Sequence, residues 1–260
     1  MACDAADALN WLRKAGEQGD LPAQKKLAEL YRYTPESGHW RQVVSHDDTE
    51  AAKWYRLAAE QGDLEAQQTL ALVYSMGQGV QQDYAEAAKW YRPSADRGIA
   101  SAQQALGGLH LSGGFGLPRN YAEGEKWVLS AAYQGNAFSA LFLGMLYSRW
   151  LEIGPPKLGE AALWFRKAAA DGDEMAHSGK DITTHSQYEL GRMYLKGDGV
   201  HQSFTEAEHL FRLAADNGLA DAQNELGNMY VNAQGVQQDF AEASKWYRLA
   251  ANQGNAEAKK

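Results

Sequence analysis

Cysteine is nearly missing from this chain: Cys3 is the only one in 260 residues. A lone thiol excludes an intrachain disulfide framework and any zinc site built on cysteine. An excess of basic residues is missing too. Lys and Arg total 25 against 33 Asp and Glu, a net charge of −8. Phosphate backbones reward clustered Lys and Arg, so nucleic acid is excluded as the expected partner. No apolar run approaches the roughly 18 residues that a membrane-spanning helix needs. No G-x-S-x-G, P-loop, dinucleotide fingerprint or H-E-x-x-H occurs. Paired catalytic carboxylates do not stand out, because Asp and Glu recur along the whole chain as surface partners and caps (AEAAKW, AEASKW, TEAEHL). The expectation is a protein that is not an enzyme, with no cofactor and no metal. Apolar and aromatic residues, by contrast, are plentiful. They include 8 Trp and 13 Tyr in a chain that is 45% hydrophobic, ample material for a core.

Much of that material is periodic. Trp11, Trp54, Trp90, Trp127, Trp164 and Trp246 open closely related segments such as WLRKAGEQGD, WYRLAAEQGD and WYRLAANQGN, and Leu210 takes the same place in LFRLAADNG. Successive spacings are 43, 36, 37, 37, 46 and 36 residues. A second motif lies between them, as AQKKLAELY, AQQTLALVY, AQQALGGLH, SALFLGMLY, SQYELGRMY and AQNELGNMY. Its leucines are Leu27, Leu70, Leu106, Leu143, Leu190 and Leu226. Two motifs holding one register along the chain define a repeat protein.

Each motif reads as a helix. Ala66, Leu70 and Tyr74 recur every four residues, as do Ala87 and Tyr91 with Trp90 and Ala95 beside them, which places each set on one helical face. Glycines in QGD, QGN and DGD end the tryptophan helix, and turns such as GQGV (Gly77–Val80) and GDGV (Gly197–Val200) join the two helices. Calling the leucine helix A and the tryptophan helix B, the sequence predicts about thirteen helices: one B helix, then six A–B pairs. Gly107, Gly144, Gly191 and Gly227 directly follow the A-helix leucine. Glycine costs about 1 kcal/mol in a helix relative to Ala, so its recurrence predicts a close approach by helix B, with Trp and Tyr of that helix filling the space beside it.

These residues resemble the Sel1-like repeat, a relative of the tetratricopeptide repeat, whose pattern runs A-x-x-x-L-G-x-x-Y, G-x-G-V, then A-x-x-W-Y-R-x-A-A-x-x-G. Residues Ala222 to Gly254 match it nearly throughout, and the resemblance covers approximately residues 5–260. It implies an all-α, right-handed superhelix of antiparallel helix pairs with the A helices lining the concave side. The expected units are approximately 1–20 (helix B only), 21–63, 64–98, 99–136, 137–173, 174–218, 219–254 and 255–260, the start of a further helix A. The resemblance also implies a non-enzymatic interaction module, either an adaptor or an immunity protein that neutralises a secreted toxin. For such a toxin, the acidic charge would suit a basic effector. The chain is expected to be cytoplasmic if Met1 is the native start. Ala2-Cys3-Asp4 also fits the trimmed start of a bacterial lipoprotein, which would place it in the periplasm.

Five departures from the pattern stand out. Extra residues fall within YRYTPESGHWRQVVSHDD and around EMAHSGKDITTHS, and both insertions are expected as loops. Pro93 sits inside a B helix, where a kink is expected. IGPPK (Ile153–Lys157) replaces a glycine turn, and His209 and Leu210 stand where tryptophan is expected. The cluster Gly113–Gly116 occupies the ordinary turn of its unit.

Candidate contact residues follow from helical geometry. If Ala66, Leu70 and Tyr74 face the core, positions turned by about 100° per residue face away. Those positions give Leu72, Gln104, Leu141, Met145, Tyr188, Arg192, Leu195 and Asn228. Such an apolar stripe either marks a groove for a partner protein or peptide or is buried between neighbouring units. Arg192 beside Tyr188 suits an acidic or aromatic group. Trp40 and Trp150 lie outside the repeated register, each either plugging a local gap or standing exposed as a binding anchor. The periodic tryptophans read as core. His39, His46, His177 and His185 fall in the insertions, near Asp47, Asp48, Glu174 and Asp181, without the spacing of a metal motif.

Overall fold

A computed structural model describes residues 5–33, 40, 43–149, 155–171 and 177–254. Among them thirteen helices follow one another: α1 (Ala5–Glu17), α2 (Leu21–Arg32), α3 (Asp48–Glu60), α4 (Leu64–Met76), α5 (Tyr84–Asp96), α6 (Ala100–Ser112), α7 (Tyr121–Tyr133), α8 (Ala137–Ser148), α9 (Leu158–Asp171), α10 (His177–Lys196), α11 (Phe204–Asp216), α12 (Ala220–Asn232) and α13 (Phe240–Asn252). The even-numbered helices are A and the odd-numbered ones B. The all-helical repeat architecture expected from the two motifs is the one observed. The chain divides into two compact units, Met1–Ser130 and Ala131–Lys260.

The helices start where short polar side chains can satisfy free amides. Asp20, Asp63 and Asn136 each accept a backbone N–H three residues on, at 2.8 Å. Asp47, Asp83 and Asp239 accept two each at the start of a B helix. Each such cap is worth about 1 kcal/mol. In the first unit the core runs through Leu27, Leu70 and Leu106; in the second it includes Leu143, Leu226, Phe165 and Phe211, all but free of solvent contact.

The expected close approach of the paired helices is present, with one correction. In the first unit a Cβ at Gly107 would lie 2.6 Å from Val128 and 2.9 Å from the Gly124 carbonyl oxygen. In the second, Gly144 faces Phe165, Gly191 faces Phe211 and Gly227 faces Tyr247, at 2.6, 2.9 and 2.5 Å. The filling residue is therefore the one after the tryptophan position. The tryptophan itself packs backward: a Cβ at Gly16 of α1 would meet the Trp54 indole at 2.8 Å. This geometry corrects the reading of Trp11 as core. Trp11 is 69% exposed, because no described helix precedes α1 to cover it. In the fifth repeat, where His209 and Leu210 stand in place of tryptophan, Phe211 is fully buried at the same following position as Phe165.

Two further contacts recur between a B helix and the A helix that follows it. Glutamines 24, 67, 103 and 223 donate to the carbonyls of Gly16, Ala59, Ala95 and Ala215, at 2.9, 3.0, 3.1 and 3.1 Å. They satisfy carbonyls that a helix end leaves without partners. The arginine two residues after the tryptophan position donates to the tyrosine hydroxyl of the following A helix. The pairs are Arg13–Tyr31, Arg56–Tyr74, Arg166–Tyr194 and Arg212–Tyr230.

His110 stands where these tyrosines stand. Its Nδ1 is buried without a hydrogen-bond partner among the described residues. Burial holds its pKa below 6.5, with Glu123 pulling up and Arg92 pushing down. The unfolded chain therefore takes up this proton first as pH falls. The stability contributed by neutral His110 is complete above about pH 6.5 and is lost as pH drops through the lower folded value. In His110→Tyr, the melting temperature is expected to fall less between neutral and mildly acidic pH than in the parent chain. Parallel melting curves across that range check this; identical pH profiles would remove His110 from the account.

The second insertion is also corrected. Its residues from His177 onward are helical, so α10 runs for 20 residues and packs against α8 as well as α9. The segment HSGKDITTHSQYELG contains no proline to stop a helix, and Thr183, Thr184 and Ser186 are buried along it. His185 thus lies on a helix, its Nδ1 2.8 Å from the Asp181 carbonyl oxygen. In the first insertion, the His46 ring nitrogen lies 3.3 Å from Asp48. Cys3, His39, Trp150 and Ile153 lie outside the described residues. Helix α5 continues through Pro93 to Asp96.

Candidate functional site

The second unit contains a cavity of about 280 Å³ where α8, α9 and α10 meet. Its apolar lining comes from Met145 of α8, Leu158 and Phe165 of α9, and Met193 of α10. Charged side chains surround this floor: Arg149, Arg192 and Lys196, with Glu189 and Asp198. Glu189, Arg192, Met193 and Lys196 are spaced three or four residues apart, so α10 turns one face toward the cavity. Ser148, the last residue of α8, and Arg149 just beyond it follow Met145 by three and four residues. Arg192 is engaged by Glu189 at 3.2 Å. The Arg149 and Lys196 side chains make no ion pair or hydrogen bond among the described residues.

The repeat register explains why these groups converge. Counting from the A-helix leucine, Met145 and Arg192 both stand two residues on, and Arg149 and Lys196 both stand six residues on. Equivalent positions of α8 and α10 are thereby brought to one opening. At the six-residue position the other A helices, or the residue just beyond them, have Tyr33, Met76, Ser112 and Asn232. Among the six repeats, cations occur there only as Arg149, just beyond α8, and Lys196, the last residue of α10.

Of the candidate contact residues, the cavity gathers Met145 and Arg192. Leu141 is half-buried on α8, two turns before the end of that helix. Tyr188 and Leu195 pack against the cluster around Phe211 and Leu226. The Tyr188 ring lies 5.8 Å from that of Phe211, and burial pushes its hydroxyl up to about 12. The Asn228 side chain accepts the Tyr247 hydroxyl at 2.7 Å. In the first unit, Leu72 is 38% exposed, Gln104 is half-buried and Trp40 is half-buried against the core. Sequence reasoning missed Arg149, Glu189, Met193 and Lys196. The signal was available as two basic residues at one repeat position. Among the described residues, no three His, Cys, Asp or Glu are grouped to hold a metal, and no helix is long and apolar enough to cross a membrane.

Paired helices in tandem, closed by glycine contacts, define a helical repeat scaffold. The chain belongs to the Sel1 repeat family, which it matches over residues 4–20, 21–63, 64–99, 100–136, 137–173, 184–219 and 220–255. Comparison with curated proteins finds no significant match. Among solved structures, it is similar to c5321, a protective antigen present in uropathogenic Escherichia coli strains that displays an SLR fold. The identity is 35% and the TM-score 0.78, with 98% of this chain covered and 51% of that one. The present chain thus spans about half the length of that relative. A Sel1 repeat protein from Oxalobacter formigenes is 25% identical, with a TM-score of 0.64 and coverage of 95% and 97%. Immunity protein Pa5087 from Pseudomonas aeruginosa is 19% identical, with coverage of 89% and 81% and a TM-score of 0.43, a likeness too loose to bear on function. The Sel1 repeat fold is a protein–protein interaction scaffold.

Proposed function

We propose that this chain is a non-enzymatic module that binds a partner protein or peptide, with the α8–α10 cleft as its contact site. The observation that carries the reading is the cleft itself: an apolar floor under two cations that no side chain among the described residues engages. Apolar floors rimmed by polar groups are characteristic of recognition sites, and the family's use as a scaffold points the same way. A catalytic reading would need convergent titratable groups with a reacting position between them. The cleft instead offers charges of both signs around methionine and phenylalanine.

The test uses a partner captured from the source organism by the full chain and then purified to measure direct binding. Leu141→Asp combined with Met145→Asp is expected to abolish that binding while circular dichroism retains full helical content. Unchanged affinity would remove α8 from the interface, and unfolding would assign both residues to the core. One cognate partner of nanomolar affinity supports the toxin-neutralising reading, to which the net charge of −8 lends a basic effector. Several partners of micromolar affinity support an adaptor.

A further inference from the structure

Resting on that reading, we propose that the α8–α10 cleft accepts an acidic peptide segment carrying one apolar anchor residue. The anchor enters between Met145, Phe165 and Met193, while flanking carboxylates meet Arg149 and Lys196. Three observations support this occupant. The first is size. At about 280 Å³ the cavity lies below the roughly 300–1,000 Å³ usual for small-molecule sites, and it suits one or two side chains of a longer ligand. The second is charge. The chain as a whole is acidic at −8, yet three cations converge here against two carboxylates, one of which already holds Arg192. The third is register. Arg149 and Lys196 occupy one repeat position on successive A helices, so they present two positive charges along the direction a bound strand would run.

Cations near a helix C-terminus also complement the helix dipole, which is a purely structural role. That role predicts a basic residue at the same position of every A helix. Tyr33, Met76, Ser112 and Asn232 stand at that position elsewhere.

A random-peptide library displayed on phage is panned against the full chain, and the enriched peptides are then titrated as synthetic peptides at low and high salt. Enriched peptides are expected to centre on Leu, Ile, Met or Phe flanked by Asp or Glu. Their affinity should fall roughly tenfold in Arg149→Ala or Lys196→Ala, and further with salt. The double charge reversal, Arg149→Glu with Lys196→Glu, should switch enrichment to basic peptides, a change that a merely structural role would not produce. Both residues are exposed and their side chains are unengaged among the described residues, so the variants are expected to keep the fold. Enriched peptides that are neutral or basic, or that ignore these substitutions, overturn the acidic-segment inference and leave the binding-module reading standing. A library yielding no enriched peptide counts against both. A lower melting temperature with unchanged affinity assigns the two cations to the helix dipole and overturns the inference.

Discussion

Gly79→Ala is expected to destabilise the chain by about 2–5 kcal/mol, far beyond the loss of an ordinary turn glycine. Gly79 is the second glycine of the GQGV turn and has φ +68°, in the left-handed region. A side chain there costs about 1–2 kcal/mol from the backbone alone. The larger part comes from where the turn sits. A Cβ at Gly79 would collide with the Asp48 carbonyl and lie 2.5 Å from the Thr49 nitrogen, at the first turn of α3. Those are backbone atoms inside a capped helix start, so no side chain can rotate away. The turn between α4 and α5 would have to lift off α3. Gly62 supplies the control: it has φ +88° but no neighbour within 4 Å. Gly62→Ala should therefore cost only the backbone strain, about 1–2 kcal/mol. Urea unfolding of both variants measures the difference. Equal losses would mean that the tuck against α3 does not matter.

The same turn shows how far the sequence carried. Periodic apolar residues and glycine punctuation were enough to place thirteen helices in the right order, because both are local signals. The glycine after each A-helix leucine was legible as a close approach. Its partner was not, since the choice between Trp164 and Phe165, or Trp246 and Tyr247, depends on how helix B rotates about its own axis. That rotation is fixed by contacts between repeats, which a single motif does not encode. The glutamine of the AQ motif went unexplained for the same reason. Its acceptor lies on the preceding B helix, eight residues back in the chain but across a loop. The second insertion reads as a loop because it breaks the repeat register, although HSGKDITTHS contains no proline and its Gly179 lies within α10 rather than capping a helix. Breaking register and breaking helix are different events, and only proline or a capping glycine signals the second. At the cleft, periodicity found Met145 and Arg192 but not the cations beside them. A reading that seeks apolar stripes passes over charges, whereas comparing one position across all repeats exposes them.

Two tryptophans at one motif position should respond very differently to replacement by alanine. Trp246→Ala is expected to cost about 3–5 kcal/mol, and Trp11→Ala no more than about 1 kcal/mol. The motif treats them alike: both stand in the middle of a B helix and precede similar small residues. The structure does not. Trp246 is 9% exposed and packs with Phe211, Leu226 and Met229, with the Arg212 guanidinium 5.9 Å from its ring centre. Its removal leaves a cavity that the surrounding helices, held by the Gly227–Tyr247 contact, cannot close. The indole Nε1 is buried without an acceptor among the described residues, so its loss also removes a desolvation cost. That offset places the result toward the lower end of the range. Trp11 is 69% exposed, with the Lys14 ammonium 5.2 Å from its ring centre, a contact worth about 0.5–1 kcal/mol at most at an exposed site. Denaturant midpoints of the two variants, with Phe211→Ala as a fully buried reference, measure the contrast. If Trp11→Ala costs as much as Trp246→Ala, its indole is covered in solution by something beyond the described helices. If neither is costly, the indoles do not hold the repeats together, and the stack must rest on the glycine contacts and the A-helix leucines alone.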